Sequence, residues 1–194
     1  MKGANRAVTA CLLVVAIVSS GAIGRAQERT IEDRLIVFAQ QLRMGLTLAA
    51  VAAYSPTRDD LRLHAQQLVN LLEGAQGKHF VRPVQSAEEV PGLLVELTAL
   101  GGRFEVASLD MGARDRIVDA AGNLRIFLTS ALEAAVSALD ERRIDRASTE
   151  MLRAYALLLA AYEGPRDVPY VPALWTILRV FDLTVRVDGG DHRE

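Results

Sequence analysis

Apolar residues recur along this chain at steps of three and four, the spacing that lines one face of a helix. Over residues 30–53 the stripe is Ile31, Leu35, Phe38, Leu42, Leu46, Ala49 and Ala53. Thr30 and Asp33 have the spacing of a capping box with the shorter acid, and Glu32 and Asp33 suit the positive start of a helix. Tyr54-Ser55-Pro56-Thr57 breaks the pattern, and a second stripe of Leu61, Ala65, Leu68, Leu71 and Leu72 runs to a stop at Gly74. Residues 75–85 hold Gly77 and Pro83 without a helical period and read as a connector. Ser86 and Glu89 then have capping-box spacing, and a short helix follows Pro91 through Leu93, Leu94, Leu97 and Leu100. Gly101-Gly102 is expected to end it, with a loop over residues 103–109.

Asp110 is a good N-cap for a long helix to about residue 140, with Ile117, Ala121, Leu124, Leu128, Ala131 and Ala135 among its apolar positions. Asp145 is expected to cap the next helix. Its second half, residues 154–162, is apolar nearly all round and should be central. Gly164-Pro165 stops it, Pro172 starts a last amphipathic helix with Leu174, Ile177, Leu178 and Phe181, and Asp188-Gly189-Gly190 releases a polar tail. No stretch carries the turn chemistry of a hairpin; Val185-Arg186-Val187 is too short and isolated to be a strand of a sheet. The fold class is therefore all-α, an up-and-down antiparallel bundle of about five to six helices. An internal duplication is a further reading: laid over one another, Leu61 meets Met151, Leu68 meets Leu158, and Glu73-Gly74 meets Glu163-Gly164. Two unrelated amphipathic helices with glycine stops would align as well.

The first 26 residues concern address. Lys2 and Arg6 form a basic start, an uncharged apolar run covers residues 7–23, and Gly24-Arg25-Ala26 offers small residues where a signal peptidase reads. The expectation is a signal peptide over 1–26, a single helical domain over 27–188 and a disordered tail over 189–194. A retained anchor is the alternative to cleavage, but Ser19, Ser20 and Gly21 dilute the run as a cleavage region would. Val8-Thr9-Ala10-Cys11 is not a lipobox, because most of the apolar run follows the cysteine. The protein is then expected outside the cytoplasm, in the periplasm or extracellular, with no stable membrane insertion after cleavage.

Removing the leader takes away the lone cysteine and, of 22 basic and 24 acidic residues, three basic ones, so the remainder is near −5. A chain of that charge has no electrostatic footprint for nucleic acid or an anionic membrane. Without cysteine it has no disulfide, thiolate nucleophile or Cys-ligated metal. Its length suits one domain whose core comes from packing alone.

Local catalytic motifs are missing. No glutamate stands three before a histidine, as a di-iron bundle needs, and there is no His-Glu-x-x-His, Cys-x-x-Cys-His, P-loop or Gly-x-Ser-x-Gly elbow. The Gly-x-His-x-x-Glu of imelysin-type proteins is also missing. His192 lies in the tail and His79 in the connector. His64, at the edge of an apolar face, could ligate haem iron or a divalent metal with His79 or Met44, against the plainer reading of a boundary histidine bonded to a neighbouring helix. Asp115 and Asp119 lie four apart, but Arg114 and Arg116 make a solvated charged face the simpler account. Asn70 and Asn123, poor helix formers within helices, would either line a cavity or bridge helices. Trp175, Tyr155, Tyr162 and Tyr170 gather in the C-terminal half as packing or as a pocket wall.

The stretch His64-Ala65-Gln66-Gln67-Leu68-Val69-Asn70-Leu71-Leu72-Glu73-Gly74 resembles a His-Ala-x-x-x-x-Asn-x-x-Glu-Gly segment of exported bacterial helical proteins with no assigned activity, and Pro91-Gly92-Leu93-Leu94 is a second echo of it. The resemblance implies an exported helical protein and marks His64, Asn70 and Glu73 as candidate cofactor-binding positions. In those relatives a loop rich in Gly, Asp and Asn follows; here it carries Lys78, His79 and Arg82 and no aspartate, so a calcium role does not carry over. The expectation is a non-catalytic binding or scaffold module for an unidentified protein or small molecule, with no cofactor. The alternative is a haem- or metal-binding periplasmic bundle using His64. Homodimerisation stays open and would follow if a broad apolar helix face were left uncovered.

Overall fold

The computed structural model describes residues 30–82, 91–107, 109–165 and 171–183. They form α1 (Ile31–Ala53), α2 (Arg58–Glu73), α3 (Leu93–Val106), α4 (Met111–Asp140), α5 (Ile144–Glu163) and α6 (Leu174–Val180). The proposed leader, the Ser86/Glu89 cap, Tyr170 and the polar tail with His192 lie outside these residues.

Four long helices make the bundle. α1 packs against α2 and α5, and α4 packs against the same two helices, so the four form a closed ring. Two tight turns, at residues 54–57 and 141–143, reverse the chain between α1 and α2 and between α4 and α5. Arg58 at the start of α2 donates to the Glu141 carbonyl just past the end of α4 (3.0 Å), which sets α2 antiparallel to α4. The ring is thus up-down-up-down. The expected all-α bundle is what forms, with six helices among the described residues.

Capping chemistry starts three of the helices. Thr30 Oγ1 accepts from Asp33 N (3.1 Å), Thr57 Oγ1 from Asp60 N (3.2 Å) and Asp110 Oδ1 from Ala113 N (2.8 Å), satisfying amides that have no partner within the helix. At α5 the start differs from expectation. The helix begins at Ile144 with Arg143 as its flanking residue, and Asp145 lies in the first turn, held by a two-point contact from Arg143 (2.6 and 3.2 Å).

The core is leucine and alanine. Phe38, Leu42, Leu68, Leu72, Leu124 and Leu128 are fully buried, and no buried residue among those described is polar or charged. Alanines at 39, 49, 131, 135, 154 and 161 let the helices approach closely. Gly45 on α1 faces Leu68 of α2 and Leu158 of α5, so two leucines the sequence comparison paired meet at one point of the core. α1 is long and apolar enough to cross a membrane by length and composition. Its buried face, from Leu35 through Ala53, is seated against three neighbouring helices, which makes it a core helix of this bundle.

Two expectations are corrected. Gly101-Gly102 does not end α3, which continues to Val106 because Leu97, Leu100 and Phe104 share its buried face and packing outweighs the glycine cost. Residues 154–162 of α5 are central only along one edge. Ala154, Leu158 and Ala161 are buried, whereas Ala156 is exposed and Leu157, Leu159 and Tyr162 are partly so.

Candidate functional site

α2 ends on a polar cluster that organises the loop after it. Asn70 Nδ2 donates to the Val81 carbonyl (2.7 Å), and its Oδ1 accepts from Val81 N (3.0 Å). Gln66 Nε2 donates to Asn70 Oδ1 (3.0 Å) and to the His79 carbonyl (2.9 Å). The Glu73 carboxylate takes His79 N on one oxygen and His79 Nδ1 on the other, both at 2.7 Å. Three side chains one helical turn apart therefore pin the main chain at residues 79 and 81. Asn70 and Glu73 spend their polar atoms holding this loop.

Glycines make the fold-back feasible. Gly74 has φ +75°, and a Cβ there would overlap Gly92 N; a Cβ on Gly92 would overlap the carbonyl of Glu73. Gly74 and Pro91 meet in an isolated antiparallel bridge, so the chain leaves α2 and returns to its end before starting α3. The two echoes of the resemblance, Glu73-Gly74 and Pro91-Gly92, thus touch one another. The second half repeats the device more loosely. Gly164 has φ +89° after α5, and a Cβ there would lie 3.0 Å from the Val171 carbonyl, just before α6.

His64 sits half-exposed on α2, with Nδ1 3.1 Å from Gln67 Oε1 of its own helix. Among the described residues no group of three or more His, Asp or Glu side chains could hold a metal. His64, Asn70 and Glu73 do not converge on one space: the last two face the loop, and His64 faces Gln67. Asp115 and Asp119 are both exposed, on the flank already read as a solvated face. Asn123 bridges elements, donating to the Pro172 carbonyl (3.0 Å). Trp175 is 43% exposed, and Tyr155 and Tyr162 pack at the margin of the core.

A cavity of about 220 Å³ opens between α3 and the first half of α4. Phe104, Leu109, Ile117 and Ala121 form an apolar floor, while Val118, Glu105 and Arg114 stand at its rim. Phe104 is backed by Phe181 at the end of α6, their ring centroids 5.9 Å apart in a tilted contact. Gly101 lies in the wall, with nothing within 4 Å of where a Cβ would stand. Arg114 Nη2 reaches across to the Glu105 main-chain carbonyl at 3.4 Å. A loop over residues 103–109 would not build this groove; α3 instead runs on to Val106 and carries Phe104 on its buried face.

Near the turn after α4, two carboxyls titrate below their ordinary range. Main-chain amides of Arg143 and Arg142 bind the Glu141 carboxylate, and the Arg143 guanidinium binds that of Asp145, in each case favouring the charged form. These are solvent-facing structural contacts.

No protein-family model, curated protein or solved structure matches this chain.

Proposed function

We propose that the protein is an exported, non-catalytic helical-bundle module that binds a partner molecule, working in the periplasm or outside the cell. The observation that carries the binding reading is the groove between α3 and α4. It is an apolar floor beside a mouth widened by a glycine within a helix, where alanine would be more stable by about 1 kcal/mol. Export rests on the basic, apolar and small-residue order of residues 1–26.

The test is native mass spectrometry of protein recovered from the periplasm of cells expressing the full chain, with an absorbance spectrum and metal analysis on the same sample. A chain starting near Gln27 that carries a stoichiometric organic adduct supports both parts of the reading. A Soret band or bound metal would replace it with the cofactor alternative through His64. Retention of residues 1–26 in the membrane fraction would overturn export by cleavage.

A further inference from the structure

The geometry points to a small amphiphilic monocarboxylate as the occupant of the α3/α4 groove, its hydrocarbon part on Leu109, Val118 and Ala121 and its carboxylate on Arg114. This inference rests on the binding-module reading and narrows it to a ligand class. Three observations on the groove converge. The first is size: about 220 Å³ lies below the range of roughly 300–1,000 Å³ that drug-sized ligands fill, so the occupant is small. The second is the floor, where the buried Phe104 and Ile117 back the half-buried Leu109 and Ala121 and the exposed Val118, so that an aliphatic chain laid there covers apolar surface.

The third is charge. Arg114 is the one cation among the described lining residues, and its guanidinium makes no ion pair with a described carboxylate. Its single long bond, to the Glu105 carbonyl, turns the head group over the groove and leaves further N–H donors for a planar anion. Glu105, also at the rim, keeps the local charge balanced. One negative charge on the ligand is therefore accommodated, and a dianion such as a phosphate monoester is opposed. Gly101 completes the arrangement by leaving the mouth open.

The experiment is isothermal titration calorimetry of the purified protein with octanoate, octanol and octylammonium, with the thermal midpoint of every variant recorded to show that it is folded. Octanoate is expected to bind more tightly than octanol, and octylammonium to bind weakest. Arg114→Met should weaken octanoate about tenfold, the worth of one charge-assisted bond, and leave octanol unchanged. Glu105→Gln should strengthen octanoate about twofold by removing a like charge at a screened surface. Gly101→Leu should raise the thermal midpoint, since leucine is the better helix former, and abolish binding of all three probes by filling the mouth. Equal binding of octanoate and octanol would overturn the carboxylate assignment while leaving a binding groove in place. Undiminished binding by Gly101→Leu would overturn the groove itself. Binding that appears only after removal of residues 184–194 would overturn the inference by making the chain's own C-terminal segment the competitor.

Discussion

The first three helices and the last three solve the same packing problem with different polar equipment. In each half a long helix is followed by a second, a glycine with positive φ ends that second helix, and a shorter helix returns against the pair. α1 meets α2 and α5 as α4 meets α5 and α2. The halves part outside the core. After α2 the loop is clamped by Gln66, Asn70 and Glu73, and α3 is long enough to lie on both α1 and α4 and to wall a groove. After α5 no such clamp is described, and α6 is half the length of α3. Burial alone accounts for what the halves share. What they do not share is where binding chemistry can be sought.

The comparison is broken most forcefully in the core. Leu68→Ala and Leu158→Ala each remove a fully buried side chain facing Gly45, and each should cost about 2–5 kcal/mol in denaturant unfolding, with the two values close. A large gap between them would deny that the halves are equivalent at this level. The glycine stops should then separate the halves. Gly74→Ala forces a Cβ at positive φ into the Gly92 backbone and should cost about 2–3 kcal/mol; Gly164→Ala, whose nearest described neighbour is the Val171 carbonyl at 3.0 Å, should cost about 1 kcal/mol. Equal penalties would mean that the α2–α3 fold-back yields more readily than its geometry implies.

Smaller effects are expected from the asparagines. Asn70→Ala removes both of its contacts to Val81 and should cost about 1–2 kcal/mol, whereas Asn123→Ala removes one bond to Pro172 and should cost about half as much. Amide exchange supplies the sharper readout, since Asn70→Ala should release the Val81 amide without affecting α5. Acid should have the least effect. Asp145 and Glu141 have carboxyls lowered in the folded state, so their stabilisation is present above the unfolded carboxylate pKa of about 4 and is lost as pH falls through the folded values. Both contacts face solvent, so Arg143→Gln should flatten the acid limb of the thermal midpoint only slightly, and less in high salt.

The helices and most of their ends were legible because their causes are local. Thr30 and Asp110 cap as their side chains dictate, and Gly74 and Gly164 stop helices for lack of a Cβ. Gly101-Gly102 misled because a glycine states only a cost, and Leu97, Leu100 and Phe104 bury enough surface to override it. The candidate positions were half legible. Asn70 stood out as a poor helix former inside a helix and Glu73 through the resembling segment, but what they hold is the main chain at Val81 and His79, with the His79 ring on Glu73 as well, and no local pattern reveals that pairing. The groove was illegible for the same reason: Phe104 and Ile117 come together only once α3 crosses α4.

α1 has a consequence at a moment before the bundle exists. Between Leu35 and Ala53 the only charged residue is Arg43, and this stretch follows closely on the proposed leader. If the chain is exported as proposed, this stretch offers a second candidate for lateral exit to a secretion channel that samples each passing segment against lipid. A central arginine opposes that partition by about 2.5–3.5 kcal/mol on translocon scales. On this view Arg43, half-buried and outside the core in the finished protein, serves the chain in transit. Replacing it with leucine would be expected to leave the bundle standing and strand part of the protein in the membrane.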